Sequence, residues 1–430
     1  MSAWQDAVAG RRFAAPLRNT FRSLASRNYR IWAGGAFVSN VGTWMQRIGQ
    51  SWLVLTQLTH NNAAAVGIVA ALQYGPHLVL LPWTGFAADH LDRRKLLLAT
   101  QAAMGALALG LGLLTVTGLV QLWQVYVFAL LLGCVSAFDA PARHTFVAEL
   151  VGDAELSNAV ALNSTSFNAA RMIGPAVAGL LIAAVGTGWV FLINAASFLA
   201  VLGSLTLLRR DELHPRPRAA RAPGSFLAGF RYVRQRPELL TIMVMLFIIG
   251  TFGLNFQIFI SAMTVTVFHS GAGRYGLAMS VMAIGTVAGS LLAAGRERPA
   301  LRHLLAGAAV FGTGCAAAAL MPGYGLFCAA LVVVGVSAMT FSNSSNSLLQ
   351  LATDPAMRGR VMAMRLAIAL GGTPLGAPIV GWVADTFGAR WSLAIGAASA
   401  FAAALVALRH LRRNRRPSGR SPLPPGEAAP

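Results

Sequence analysis

Two arginines lie inside long apolar stretches, where an unpaired positive charge is costly. Arg47 falls within residues 30–57, and Arg171 falls within residues 158–184. A charged side chain at the centre of a bilayer costs roughly 3 kcal/mol or more, so each arginine is expected to face a water-filled cavity. The alternative is structural, because a long arginine side chain can also reach the membrane surface or link two helices.

Polar residues recur beside both arginines at three- and four-residue steps. The first set includes Asn40, Arg47 and Gln50, and the second includes Asn168 and Arg171. This spacing places each set on one face of a helix. Arginines, amides and tryptophans with few carboxylates favour an amphipathic or anionic ligand. The predicted substrate cavity is lined by Asn40, Trp44, Gln46, Arg47, Gln73, His77, Asn168, Arg171, Asn255 and Gln257.

Residues that make or break covalent bonds are not grouped in this sequence. The histidines are scattered, and no helix carries a His-x-x-x-His pair or paired acids. Cys134, Cys315 and Cys328 lie in apolar runs without metal-ligand spacing. A membrane enzyme would need a nucleophile with a base, or a metal site, within the spans. We therefore predict that the protein is not an enzyme and holds no metal or cofactor.

A proton carrier is normally a membrane carboxylate of raised pKa. No acid lies at the centre of a predicted span, and those nearest a membrane edge are Asp89, Asp139 and Asp385. Asp139 precedes Arg143 by four residues, which is the favourable order for an ion pair within a helix. The same two residues could instead pair across helices as a cytoplasmic gate. Asp139 is the candidate proton carrier, with His77 as the alternative, although a lone histidine is more often a hydrogen-bonded core residue.

The composition is typical of an integral membrane protein. Of 430 residues, 56% are hydrophobic and 11% are charged, whereas a soluble domain has about 25% charged residues. A spanning helix needs roughly 20 apolar residues. The sequence predicts twelve spans, at residues 30–57, 64–88, 95–117, 121–142, 158–184, 188–208, 238–267, 273–295, 301–320, 325–350, 360–384 and 390–409.

Basic residues determine the predicted orientation. The net charge of +20 would suggest nucleic acid binding in a soluble protein, but here the arginines cluster at every second boundary between spans. Intervening loops such as 117–121 and 321–324 hold no lysine or arginine. The basic loops are expected to stay in the cytoplasm. We predict a bacterial-type inner membrane protein with both termini cytoplasmic, in contact with lipid but not with nucleic acid.

The chain is predicted to consist of two related six-helix bundles. At an offset of about 202 residues, Trp189 matches Trp391, and Gly186 matches Gly388. Paired bundles around a central site are common in secondary transporters. The predicted domains are an N-terminal bundle with its basic cytoplasmic N-terminus at 1–208, a cytoplasmic linker at 209–237, a C-terminal bundle at 238–409 and a disordered basic tail at 410–430.

The second basic loop carries a more specific pattern, with Gly85, Asp89, Arg93 and Arg94. A glycine lets two helices approach closely, and an aspartate at the membrane edge can accept hydrogen bonds from a neighbouring helix N-terminus. A simple positive-inside loop is the alternative. The pattern resembles the loop signature of the major facilitator superfamily, with departures at His90 and Asp92. The equivalent loop of the second half lacks the aspartate, so any latch is expected to be asymmetric.

Four further segments support this resemblance. Gly174, Pro175 and Gly179 resemble the proline-glycine motif of exporters in the superfamily, although a plain kinked packing helix has the same composition. Residues 40–47, 137–143 and 358–362 together resemble the branch of enterobactin exporters and macrolide efflux proteins. The resemblance implies a major facilitator fold and export of a siderophore-like or drug-like molecule by alternating access and proton antiport.

Other functions remain compatible with these residues. An uptake facilitator of the same fold differs only in the direction of movement, and a membrane scaffold without transport is permitted by the second-half loop that lacks its aspartate. A monomer is expected.

Overall fold

Long helices make up almost the whole of the described chain. The computed structural model describes residues 20–214, 226–295 and 300–414. Twelve helical segments follow one another in these residues. They are α1 (Arg27–Trp52), α2 (Ala63–Val79 with Leu81–His90), α3 (Arg93–Val116), α4 (Leu122–Phe146), α5 (Asp153–Val185), α6 (Thr187–Thr206), α7 (Pro237–Val267), α8 (Ala272–Ala294), α9 (Leu301–Leu320), α10 (Tyr324–Leu351), α11 (Pro355–Phe387) and α12 (Ala389–Asn414).

Ten of these segments, α3 to α12, are long and apolar enough to cross a membrane. The first part of α2 is a shorter apolar helix, and α2 breaks at Leu80, two residues before Pro82, which has no backbone N–H. α1 has 26 residues, or about 39 Å of helix, and is less apolar because it carries polar side chains on one face. The predicted all-α membrane fold of about twelve helices in two bundles is confirmed.

Each half packs its own helices together. In the first half, α1 lies against α5 and α6, α3 lies against α4 and α6, and α2 lies against α4. In the second half, α9 lies against α10 and α12, α8 lies against α10, and α7 lies against α11 and α12. The two halves meet along two helix pairs, α2 with α11 and α5 with α8. These four helices therefore frame the space between the bundles.

Glycines allow the close contacts between the halves. A Cβ atom on Gly276 of α8 would lie 2.2 Å from the carbonyl oxygen of Pro175 on α5. A Cβ atom on Gly67 of α2 would lie 2.3 Å from the carbonyl oxygen of Ala377 on α11. Both distances are too short for any side chain, so only glycine permits this backbone approach.

An aspartate joins the two halves at one end of the molecule. The Asp385 carboxylate at the end of α11 accepts hydrogen bonds from the backbone amides of Ala63, at 2.6 Å, and Ala64, at 2.8 Å, where α2 begins. A carboxylate satisfies free N–H groups and the positive end of the helix dipole at such a site. We call this end, which is opposite the basic loop at Arg93, the closed end.

Several helix boundaries differ from the sequence-based prediction. α5 begins at Asp153 rather than 158, and α11 begins at Pro355 rather than 360, because polar first turns extend beyond the apolar stretch. Part of the predicted linker is a helix, Phe226–Gln235. Residues 410–414 of the predicted disordered tail belong to α12. The domain limits stay predictions, and the rest of the tail and the first nineteen residues lie outside the described chain.

Candidate functional site

The ring of Trp44 is flanked by the two arginines that the sequence singles out. Arg47 Cζ lies 4.7 Å from the centre of the ring, and Arg171 Cζ lies 5.5 Å from it. Trp44 and Arg47 come from α1 and Arg171 comes from α5, which pack closely because Gly174 faces Trp44 without a side chain. Cations over a tryptophan face are attracted to its π electrons, an effect that partly offsets the repulsion between the two guanidinium groups.

Tyr74 on α2 completes this cluster. Arg47 Nη1 donates a hydrogen bond to the Tyr74 hydroxyl at 2.9 Å, and Arg47 Cζ lies 5.6 Å from the centre of its ring. Arg47 is thereby held by two aromatic side chains and a hydroxyl. We call Trp44, Arg47, Tyr74 and Arg171 the arginine–aromatic cluster.

A cavity lies between the two halves of the molecule, with about 690 Å³ of empty space that includes open solvent. Both halves contribute, with α1, α2 and α5 on one side and α7, α8 and α11 on the other. The lining is mostly apolar, with a few polar groups. We call it the central cavity, and its lining residues are Trp44, Ala70, Tyr74, Arg171, Pro175, Leu254, Asn255, Phe256, Gln257, Ile258, Met279, Met282, Ala283 and Thr373.

A break in α7 exposes polar groups to this cavity. The helix has π-type turns at Ile249–Gly253 and loses regular geometry at Leu254 and Asn255 before it resumes at Phe256. Asn255 donates to the Thr251 carbonyl at 2.7 Å, while its own side-chain oxygen is buried without a partner among the described residues. Interrupted helices form ligand sites in many transporters, because their unpaired polar groups become available there.

A second cavity lies within the first bundle. It has about 480 Å³ of empty space and shares Tyr74 with the central cavity. Polar side chains of α1, α2, α4 and α6 face it. We call it the side cavity, and it is lined by Thr43, Gln46, Arg47, Gln73, Tyr74, His77, Met104, Leu132, Gly133, Ser136, Asn194 and Phe198.

The predicted cavity residues divide between these spaces. Trp44, Arg171, Asn255 and Gln257 line the central cavity, while Gln46, Arg47, Gln73 and His77 line the side cavity. Two residues lie in neither lining. They are Asn40 and Asn168. Asn40 accepts a hydrogen bond from Arg143 at 2.7 Å, and Asn168 donates one to the Ser164 carbonyl of its own helix at 2.9 Å.

Asp139 and Arg143 form an ion pair within α4. Arg143 Nη2 lies 2.8 Å from the Asp139 carboxylate. The other carboxylate oxygen accepts hydrogen bonds from Thr100, at 2.8 Å, and Gln101, at 2.7 Å, on α3. All of these partners belong to the first half. In this conformation the pair locks α1, α3 and α4 together and does not reach the second half.

His77 has a different environment in the side cavity. Its Nε2 lies 3.4 Å from the Ser136 hydroxyl, and its Nδ1 is buried without a hydrogen-bond partner among the described residues. Its ring lies 6.3 Å from that of Tyr74. The histidine is therefore near the arginine–aromatic cluster without bonding to it.

The residues of the basic loop motif are used within the first half. Arg93 forms an ion pair with Glu149, and Arg94 Nε donates to the Leu205 carbonyl of α6 at 2.8 Å. Gly85 lies in the second part of α2, and the Asp89 side chain is outside what the structure describes. The motif of α5 has two uses, since Gly174 faces Trp44, and Gly179 and Pro175 meet α8.

Sequence reasoning missed Tyr74, Met279, Met282 and Thr373. Tyr74 lies between Gln73 and His77, which the spacing placed on the face of interest. The signal that could have found it is chemical, because an arginine within the membrane needs a hydrogen-bond partner, and Tyr74 has the only phenol in α2. The methionines and Thr373 gave no signal of this kind, since they stand in ordinary apolar runs.

The twelve helices, the two bundles and the cavity between them define a membrane transporter of the major facilitator superfamily. Residues 14–422 match the family described as transmembrane secretion effector. The chain belongs to this family.

Two relatives in the same superfamily have known cargo. The staphyloferrin A transporter of Staphylococcus aureus is 29% identical over 259 residues, which cover 60% of this chain and 64% of the relative. The enterobactin exporter EntS of Shigella flexneri is 27% identical over 342 residues, which cover 78% of this chain and 80% of the relative. The match therefore spans less than two thirds of the staphyloferrin A transporter and most of the enterobactin exporter.

Solved structures show the same fold at low identity. A bacterial homologue of the human lysosomal transporter Spinster, in an inward-facing and occupied conformation, has a TM-score of 0.72 at 14% identity, covering 90% of this chain and 97% of that one. The nucleoside transporter NupG has a TM-score of 0.69 at 16% identity, covering 90% and 99%.

Proposed function

We propose that the protein exports a small siderophore-type molecule from the cytoplasm across the bacterial inner membrane. The observation that carries this proposal is the central cavity, where the arginine–aromatic cluster of the first half faces the interrupted α7 of the second. A mostly apolar cavity with a few convergent polar groups is the usual form of a small-molecule site. The similarity to a staphyloferrin A transporter and an enterobactin exporter supports a siderophore as cargo and export as direction.

Alternating access is the proposed mechanism. The described contacts between the halves extend from the closed end to about the middle of the helices, where Gly371 of α11 faces Leu78 of α2. The predicted topology places the basic loops in the cytoplasm, so the cavity would receive cargo from that side. Release on the opposite side requires the closed end to separate, while the basic end closes. A monomer suffices for this cycle, because one chain supplies both halves.

Proton antiport is a separate prediction, which rests on the resemblance to proton-driven exporters. Asp139 is the proposed carrier from the sequence, but its carboxylate already has three partners in Thr100, Gln101 and Arg143. Protonation would break an ion pair that holds three helices. His77 is the other proposed carrier, and its position beside the arginine–aromatic cluster, without a described ion pair to break, favours it over Asp139.

The experiment is an export assay in cells that make the siderophore but lack their own exporter. Cells that produce enterobactin or staphyloferrin A are given this protein, and the compound is measured in the medium and in the cells. Export of either compound by the intact chain supports the proposal. Accumulation inside cells supplied with external siderophore would instead indicate uptake, and no movement of either compound would leave a scaffold role.

Variants make this assay specific for the cavity. Arg171→Gln keeps a side chain of similar polarity but removes the charge beside Trp44, and export is expected to fall at least tenfold at equal protein level. Arg274→Gln is the matched control, because Arg274 is an exposed arginine that stacks on Tyr324, outside the central cavity. Equal export by both variants would contradict the role of the central cavity.

A further inference from the structure

The acidic residues of the chain are distributed unusually for an ion-coupled transporter. The sequence has fourteen aspartates and glutamates. Among the acidic side chains that the structure describes, Asp139 is the only one inside a span and away from its ends, and it is paired with Arg143. The other described acids stand at helix ends or in loops. The described lining of the central cavity accordingly includes no acidic residue.

The arginine–aromatic cluster carries the positive charges of Arg47 and Arg171. No carboxylate whose position the structure describes lies within salt-bridge distance of Arg47 or Arg171. Asp385 is too far along α11, since twelve residues of helix separate it from Thr373 in the cavity lining, or roughly 18 Å. Among the described residues, the Arg47 side chain has one hydrogen-bond partner, the neutral phenol of Tyr74. The wall of the central cavity therefore has two positive charges that no described carboxylate neutralises, with Arg171 in the lining and Arg47 against Trp44 and Tyr74 of that lining.

Two unneutralised guanidinium groups select for a particular class of ligand. Guanidinium groups bind carboxylates with paired hydrogen bonds, and such charge-assisted bonds are about twice as strong as neutral ones. Carboxylic acids are ionised at pH 7, whereas phenolic hydroxyls with a pKa near 10 are not. A polycarboxylate cancels the charge of the cluster, while an uncharged catechol leaves it in place. Both kinds of ligand can contact the ring of Trp44, so we expect the charge of the ligand to determine which one binds more tightly.

The same charges determine how a membrane potential acts on the transport cycle. With a polycarboxylate bound, the positive charge of the cavity is neutralised, and reorientation moves little charge. With the cavity empty, return toward the cytoplasm moves positive charge toward the negative side of the membrane. An inside-negative potential therefore favours the return of the empty carrier, and each complete cycle moves the negative charge of the anion outward.

We propose that the central cavity carries a polycarboxylate anion and that the membrane potential drives its export, in place of the proton antiport that the family resemblance implies. This inference rests on the proposed function and specifies its substrate class and its source of energy. A potential of 100 mV corresponds to about a fifty-fold concentration ratio for each negative charge moved. If each cycle moves two net negative charges outward, the same potential corresponds to a concentration ratio above a thousand.

The test uses purified full-length protein in liposomes, with a potassium gradient and valinomycin to set the potential at equal pH on both sides. Labelled staphyloferrin A, a polycarboxylate, and enterobactin, a catechol compound, are the probes. An inside-positive potential is expected to raise the initial uptake of the polycarboxylate at least tenfold over zero potential, and to have little effect on the catechol. A pH gradient at zero potential is expected to drive no accumulation of either.

The outcomes separate this inference from the function on which it rests. Transport of the polycarboxylate that responds to the pH gradient but not to the potential overturns the inference and keeps the proposed function. Preference for the catechol compound overturns the substrate class alone. Failure to move either compound under any gradient contradicts the proposed function, and the inference fails with it.

Variants of Arg47 distinguish a charge-based role from a structural one, because they are tested with both a charged ligand and its neutral ester. Arg47→Gln is expected to weaken binding of the polycarboxylate at least tenfold and binding of its neutral methyl ester less than threefold. Arg47→Lys keeps the charge and is expected to retain most of the affinity for the polycarboxylate that Arg47→Gln loses. Arg274→Gln is expected to leave the affinities for the acid and the ester unchanged. Equal loss for the acid and the ester in Arg47→Gln would contradict a charge-based site.

Discussion

The Asp385 carboxylate lies 2.6 Å from the backbone nitrogen of Ala63, across the boundary between the two halves of the chain. Its second oxygen lies 2.8 Å from the next amide, of Ala64. This contact and the glycine contacts beside it hold the closed end together. In the proposed cycle, cargo leaves by that end only if these hydrogen bonds break, so we expect their strength to set part of the balance between the two conformations.

Asp385→Asn is expected to favour opening of the closed end. Charge-assisted hydrogen bonds contribute about 1.5–3 kcal/mol, and half of that would shift the balance between conformations about threefold to tenfold. The measurement is the rate at which a cysteine placed at Asn62 reacts with a membrane-impermeant maleimide. Asp354→Asn, at the basic end, is the control. An unchanged rate in Asp385→Asn would mean that the contact does not hold the closed end.

Gly276→Ala is expected to reduce transport strongly. The added Cβ would lie 2.2 Å from the Pro175 carbonyl oxygen, so α5 and α8 must separate before it fits. Gly325→Ala is the matched control, since a Cβ there has nothing within 4 Å. At equal protein level, we expect at least a tenfold loss of transport in the first variant and little change in the second. Normal transport by Gly276→Ala would show that the α5–α8 contact does not depend on the small residue.

Arg143→Gln is expected to destabilise the first bundle. The change leaves the buried Asp139 carboxylate without its cation, and breaking a buried ion pair in this way costs about 3–5 kcal/mol. The melting temperature of the purified protein should fall clearly. The double variant Asp139→Asn with Arg143→Gln removes the stranded charge and should recover part of that loss.

The same variants distinguish a structural pair from a gate. If the role of the Asp139–Arg143 pair is structural, we expect the double variant to regain transport together with stability. A melting temperature unchanged in Arg143→Gln, combined with lost transport, would instead favour a cytoplasmic gate formed in another conformation.

Tyr74→Phe is expected to weaken ligand binding modestly. The change removes the hydroxyl that accepts a hydrogen bond from Arg47 at 2.9 Å and keeps the aromatic ring. A net hydrogen bond to a charged group contributes about 1.5–3 kcal/mol, but the ligand can replace this partner, so we expect a threefold to tenfold rise in Kd. Tyr126→Phe, on α4 and outside both cavity linings, is the control for loss of a phenol. Equal effects in the two variants would argue against a specific role for Tyr74.

The sequence predicts the framework well, because hydropathy and charge act over whole helices. Twenty apolar residues must leave water together, and arginines at alternate loops mark one side of the membrane. The order of helices and the halves could therefore be inferred from the chain alone. Helix ends such as Asp153 of α5 were missed because their first turns are polar and extend past the apolar stretch.

The surroundings of the site residues were predicted only in part, because the spacing of residues along one helix does not indicate which other helices pack against each face. The spacing predicted one polar surface on α1, yet Arg47 lines the side cavity, Trp44 lines the central cavity, and Asn40 accepts a hydrogen bond from Arg143. Asn168 has the right spacing but bonds to its own helix. The capping of α2 by Asp385 depends on residues more than three hundred positions apart, and no local pattern indicates it.

The most direct test of the central claim is an experimental density map of the purified protein with bound staphyloferrin A or enterobactin. We predict that the compound lies in the central cavity between Trp44 and Asn255, with an anionic or polar oxygen within about 4 Å of the Arg171 guanidinium group. Density for the compound at the closed end beside Asp385, or on the outer surface of the bundle with an empty central cavity, would contradict it.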